Sequence, residues 1–306
     1  MRKRGKQMYL TIDCAQFENN QLAFYEFCDK DNSELRSYSI EKYNLISKVG
    51  DIVYFVDYSK GKDAVTVYQS GKVYDAKSSR LYDGQIKDFN KWYLSKNLSN
   101  NVNQNPSKEF GAILSGGDPY VEKILTGLTQ LNIYNDDNGR GIIIPALKGH
   151  PTYFFDVDLL SLKNNDVIEF LKNDSEEKKK TGLQPWSLTN AKTHPNRYWN
   201  RNKQKFINLY NASKRINGNL WLVNYNNDLA EKVTLIKVNS LDSTNGITDD
   251  ISYLLSYEEL LQWLLINDES VSDGVNFLNG KPKQVRDSNF WSRPLDICKS
   301  ELGRHN

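Results

Sequence analysis

Tyr153-Phe154-Phe155-Asp156-Val157-Asp158-Leu159-Leu160, and soon after it Asp166-Val167-Ile168-Glu169-Phe170-Leu171-Lys172, decide how this chain is read. Side chains on a strand alternate, so Asp156 and Asp158 share one face while Phe155, Val157 and Leu159 point into a core. If residues 161–165 close an antiparallel hairpin, Glu169 falls roughly opposite Asp156. Three carboxylates in one small volume repel strongly unless a cation joins them. A hard divalent ion with oxygen ligands, Mg²⁺ or Mn²⁺, is the natural partner. Such an ion polarises a phosphate and activates water for in-line attack. The bland reading of the same acids is the solvent face of a half-exposed hairpin.

The segment that follows tips the balance. From Lys178 to Asn227 there is no Asp or Glu, yet Lys178, Lys179, Lys180, Lys192, Arg197, Arg201, Lys203, Lys205, Lys214 and Arg215 all fall within it. A helix is expected over residues 196–216, ending at Asn217-Gly218 as a left-handed cap. On it, Arg197, Arg201 and Lys205 recur every four residues as a basic ridge, while Trp199, Phe206, Leu209 and Ile216 pack inward. Such a ridge, with Lys203, Lys214 and Arg215 nearby, suits a phosphodiester backbone. Tyr198 could stack on a base, against the commoner role of a core or boundary tyrosine. The partner read from this surface is nucleic acid, DNA ahead of RNA. The competing reading is a solvated helix face.

The strand acids and the nearby lysine resemble the PD-(D/E)xK nucleases, the restriction-endonuclease-like superfamily, over roughly residues 115–238. The resemblance implies metal held by Asp156 or Asp158 with Glu169, and by Glu122 on an earlier helix. It implies Lys172 beside the reacting phosphate, and a Mg²⁺-dependent endonuclease activity, with host defence or a mobile element as setting. Two residues separate Glu169 from Lys172 where the family has one, so a β-bulge would be needed to bring them to one face. No proline precedes the acid. A rival expectation is a non-enzymatic nucleic-acid-binding or inhibitor protein using the same 178–227 face.

Working outward, residues 8–27 read as a hairpin turning at Glu18-Asn19-Asn20-Gln21. A strand is expected over 51–58. A second hairpin is expected from residues 64–68 and 72–75, and a helix over 84–94. The Asn-rich stretch 98–108 reads as a linker. The expected organisation is therefore mixed α+β: a β-rich N-terminal domain (1–97) for target selection or partner binding, then an α/β nuclease-like domain (109–306) with a basic tail. In the second domain, Gly116-Gly117-Asp118-Pro119 reads as a helix cap rather than a P-loop, since no GK[ST] follows. Val121, Ile124, Leu125 and Leu128 form its apolar stripe, and Gly141 to Pro145 reads as a short strand. Strands are expected over 220–225 and 232–238. A helix is expected over 257–266, with Leu260, Leu261, Leu264 and Leu265 facing a core. No internal repeat and no heptad pattern is found.

Composition fits a folded protein: 39% of the 306 residues are apolar, and 18 Tyr and 6 Trp exclude global disorder. The net charge of +2 says little by itself. Cys14, Cys28 and Cys298 have no paired spacing, and His150, His194 and His305 are scattered, which disfavours zinc and argues for a reducing, cytoplasmic setting. His194, before Pro195, reads as structural or capping. No apolar run spans a bilayer, so no membrane partner is expected. The basic start, Met1 to Lys6, reads as an arm. A protein partner for the N-terminal domain and a homodimer stay open.

Overall fold

The computed structural model describes residues 9–74, 78–99, 108–109, 121, 123–124, 126, 139–147, 150–172, 194–225 and 232–287. The basic arm, the centre of the expected linker, the Gly116–Pro119 turn, Leu125, Leu128, Glu122, Lys178–Lys180, Lys192 and Cys298 lie outside them. The protein is mixed α+β, and the chain divides into two compact units, residues 1–117 with 131–165 and residues 118–130 with 166–306. None of the described helices is long and apolar enough to cross a membrane.

In the first unit, β1 (Tyr9–Glu18) and β2 (Gln21–Asp29) form the expected hairpin. Its turn residues Asn19 and Asn20 both have positive φ, 48° and 64°, a conformation that asparagine tolerates better than most residues. Helix α1 (Ser33–Ile46) then crosses over to β3 (Ile52–Ser59), which runs parallel to β2. Two parallel neighbours need such a crossover. β4 (Ala64–Ser70) and β5 (Ser79–Gly84) continue antiparallel, and α2 (Ile86–Ser99) follows.

Residues 72–74 form a 3₁₀ turn rather than the expected strand, and β5 takes the place beside β4. Leu98 and Ser99 belong to α2, so the expected linker begins as helix. The Gly141–Pro145 strand is likewise corrected: it lies inside helix α3 (Arg140–Leu147). A five-residue apolar run fits either state by periodicity. Here it is helical because Ile142, Ile143, Ala146 and Leu147 all bury against the sheet.

A two-residue pair, β6 (Lys108–Glu109) with β7 (Pro151–Thr152), precedes β8 (Phe155–Ser161), which lies antiparallel to β1. The sheet order is β8-β1-β2-β3-β4-β5. That pairing moves the expected domain boundary, because the strand carrying Asp156 and Asp158 belongs to the N-terminal unit. One sheet face is covered by Phe89, Tyr93, Ile142 and Leu147 around Tyr25, Phe27, Tyr54 and Phe154. Tyr93 and Phe154 stack at 4.6 Å between ring centres. The other face takes α1, where Tyr43 meets Phe55 at 5.1 Å.

In the second unit, β9 (Val167–Lys172) leads to helix α4 (Trp199–Arg215), which is preceded by a short 3₁₀ turn, Pro195–Tyr198. The helix crosses to β10 (Leu220–Tyr225), parallel to β9. Asn217, at φ 60°, takes the left-handed position, and the Gly218 amide donates to the Ser213 carbonyl as the helix ends. β11 (Val233–Asp242) and β12 (Gly246–Leu255) follow antiparallel, then α5 (Tyr257–Glu269) behind a Ser256/Glu259 capping box. Leu260 and Leu264 are buried as expected, but Leu265 is 48% exposed. After α5 come α6 (Val271–Asn279) and β13 (Lys283–Arg286), giving the order β9-β10-β11-β12-β13.

The expectation of no repeat is also corrected. β2-α1-β3-β4-β5-α2 and β9-α4-β10-β11-β12-α5 follow one path: strand, crossover helix, parallel partner, two antiparallel neighbours, helix.

Candidate functional site

Glu169 sits in the middle of β9, between Ile168 and Phe170, and its side chain is only 4% exposed. The Lys205 ammonium of α4 lies 2.5 Å from Glu169 Oε1, with its side chain 26% exposed. Lys205 is therefore not a free tooth of a solvent ridge, as the four-residue spacing suggests. The helix crosses the face of β9, so its amine reaches the sheet while its stem lines the boundary.

The expected Glu169–Lys172 pairing is corrected for a separate reason. The register from Val167 to Lys172 against Leu220 to Tyr225 is unbroken, so β9 has no bulge to bring positions 169 and 172 to one face. The lysine in contact with Glu169 is Lys205, from the crossover helix.

Asp156 and Asp158 keep the expected alternation. Both are half-buried on β8 while Phe155, Val157 and Leu159 are buried. The division of the chain falls between Asn165 and Asp166, so these two acids and Glu169 belong to different units. Among the described residues no group of three or more His, Cys, Asp or Glu side chains is placed to hold a metal ion. Arg197 and Tyr198 fall in the 3₁₀ turn and Arg201 in α4, with side chains outside the described set. Lys203 is half-buried. Lys214 and Arg215, in the last turn of α4, are exposed, and the Lys214 amine stands 5.0 Å over the Tyr210 ring.

The sequence reading missed a related set in the first unit. Lys42 of α1 places its amine 2.7 Å from Glu26 Oε2 on β2, 3.6 Å from Asp13 Oδ1 on β1 and 3.4 Å from Thr11 Oγ1. The Lys42 and Glu26 side chains are fully buried. The β1–β2 register pairs Cys14 with Tyr25, the chain neighbours of Asp13 and Glu26. One signal was available: Asp13 stands thirteen positions before Glu26, as Asp156 does before Glu169.

Two other buried polar groups are structural. Glu18 accepts from Tyr25 and Gln16 at one oxygen, and from Tyr54 and Lys96 at the other, which accounts for both carboxylate oxygens. His194 Nε2 lies 3.2 Å from Asp250 Oδ2, and its Nδ1 accepts from the Asn196 amide. Asp250 Oδ1 accepts from Ser252 and from Arg286 of β13. The serine thus bonds to the aspartate and not to the imidazole. Both ring nitrogens are committed, so no nucleophile is activated here. The capping role expected of His194 fits this geometry.

Burial pushes the His194 pKa below its usual value against the raising pull of Asp250, and Arg286 adds to the lowering. Burial pushes Asp250 up, but the His194 hydrogen bond and charge, with Arg286 and Ser252, hold it below the usual range. Just below pH 6.5 the unfolded chain binds a proton that folded His194 refuses, so stability present above that pH falls as pH drops toward the folded value. The slope for one proton is at most about 1.4 kcal/mol per pH unit. Urea titrations across that window will show the slope in wild type and a flatter one in His194→Gln. Equal slopes would remove His194 as its source.

Comparison of the chain with family models, with curated proteins and with solved structures finds no match.

Proposed function

We propose that this protein is a metal-dependent nuclease of restriction-endonuclease-like type, with Glu169 as a carboxylate ligand and Lys205 as its lysine. The observation that carries the reading is the Glu169–Lys205 contact between strand β9 and its crossover helix. A buried ion pair contributes little net stability, because desolvation of both charges offsets their attraction. In this pair the Glu169 carboxylate is buried and Lys205 is the partly exposed member.

Carboxylate oxygen is the donor that Mg²⁺ or Mn²⁺ takes, and Glu169 offers one such side chain; among the described residues no group of three or more His, Cys, Asp or Glu side chains is placed to hold an ion. When bound, such an ion polarises the phosphate and lowers the pKa of water. The chain's own part is positional. Glu169 is fixed by β10 on one flank, and Lys205 holds a positive charge where negative charge develops on the phosphate. Lys214 and Arg215 offer exposed positive charge for the nucleic-acid backbone.

Plasmid and single-stranded substrates with Mg²⁺ or Mn²⁺ test the proposal. Wild type cleaves, while Glu169→Gln and Lys205→Met lose about 10²-fold or more in rate, the scale of one electrostatic group in a transition state. Cleavage unchanged in both variants would sink the assignment. The exposed pair Lys214 and Arg215 favours one other reading, a non-enzymatic binder. Salt-sensitive binding with no cleavage under any metal would select it.

A further inference from the structure

We propose that His194 is an acid-sensitive latch: its neutral ring fastens the turn that leads into α4 onto β12, and its protonation lets that turn go. The inference does not rest on the nuclease reading.

The imidazole joins three pieces of chain within one unit. Nε2 lies 3.2 Å from Asp250 Oδ2 on β12, and Asp250 Oδ1 accepts from Arg286 of β13 at 2.8 Å. On its other side, Nδ1 accepts from the Asn196 amide at 3.2 Å. Asn196 adds a second fastening. Its side-chain nitrogen donates to the Ile247 carbonyl at 2.8 Å, and its side-chain oxygen accepts from the Ile247 amide at 2.9 Å. The turn Pro195–Tyr198 is thus held on β12 at two points, one of them through a titratable ring.

The chemistry of the ring makes that point reversible. A neutral imidazole offers one donor and one acceptor, and the acceptor here is Nδ1. An imidazolium offers two donors and no acceptor. A proton on Nδ1 therefore sets two N–H groups against each other at Asn196. Nε2 has nothing to change, since it faces Asp250 as a donor in both states. The charged groups facing the ring are Asp250 of β12 and Arg286 of β13, which balance each other while the ring is neutral. The added proton leaves a net positive charge where the His194 side chain is 1% exposed and that of Asp250 not at all. The turn gives way, and the Asp250–Arg286 pair stays.

The sequence singles out the same residue. Lys178 to Asn227 holds no Asp, Glu or Cys and a single His, so His194 is the one group of that basic segment whose charge changes near neutral pH. Burial lowers its pKa against the raising pull of Asp250, with Arg286 adding to the lowering. The latch is therefore fastened above pH 6.5 and loosens as pH falls from there toward the folded value.

Hydrogen exchange of the full chain, read amide by amide and corrected for its intrinsic pH dependence, tests the latch. In wild type, protection of the Asn196 and Ile247 amides falls up to about ten-fold per pH unit below about 6.5, the effect of one proton, while the β13 amides keep theirs. In His194→Gln, which has no titrating group at this position, the Asn196 and Ile247 amides hold constant protection over the same range. Unchanged protection of Asn196 in wild type overturns the proposal. So does a fall shared equally by the β13 amides, which would mean that the whole unit opens, and so does an equal fall in His194→Gln. Should that variant fail to fold, the comparison of Asn196 with β13 in wild type decides.

Discussion

Lys42→Met will unfold at lower urea than wild type, with a loss of about 3–5 kcal/mol, the usual result of removing one partner from a buried ion pair. Glu26 would be left inside α1 and the sheet, next to Asp13, with no counter-charge from the helix and no route to water. The double variant Glu26→Leu/Lys42→Met will recover most of that loss, because it removes both desolvated charges and keeps the volume apolar. The gap between single and double variants measures coupling directly. A Lys42→Met protein as stable as wild type would mean that this set is open to solvent in solution, and the contrast with Lys205 would vanish.

Asp250→Ala will cost a similar amount, about 3–5 kcal/mol, for a related reason. It removes the carboxylate that faces the Arg286 guanidinium, almost fully buried at the end of β13, leaving that charge with the neutral acceptors Ser252 and Gln284, and it takes away the acceptor of His194 Nε2. Among the described residues β13 is a four-residue strand at the end of the sheet order, paired to β12, so this charge contributes to its attachment. Hydrogen exchange will show the β13 amides losing protection first. Arg286→Met, which leaves Asp250 with His194 and Ser252, will destabilise less. If Asp250→Ala falls within about 1 kcal/mol of wild type, the range of an ordinary surface change, Asp250 is not the anchor described.

The hairpin β1–β2, the alternation along β8 and the span of α4 were legible because apolar and polar residues there follow one period, with turn residues at the ends. Helix α1 was not. Its buried face is built from Ser39, Lys42, Tyr43 and Ile46, half of them polar, so it carries little amphipathic signal. The Gly141–Pro145 run was misread because continuous apolarity fits strand and helix alike.

The site was half legible. Glu169 stood out as an acid within an apolar strand. Its lysine did not, because Lys205 is thirty-six positions away and its neighbours suggested a solvated ridge. Asp13 and Glu26 are lone acids within the expected hairpin, and Lys42 lies in a helix that the sequence pattern does not announce. Only the fold shows that β2 is covered on both faces, so that Glu26 has to be paired. The repeat escaped for the same reason: what the two halves share is spacing and pairing, with few identical residues.

Cys14 and Cys28 lie in the first unit's innermost strands. Burial pushes both thiols up, Cys28 to about 12, and Cys14 also shares a 3.1 Å contact with the Tyr93 hydroxyl. Neither ionises at neutral pH while the hairpin is shut, so neither is an alkylation target until the strands part. The two sulfurs therefore act as an internal clock. The rate at which they react with iodoacetamide reports how often the first unit opens, with no label added.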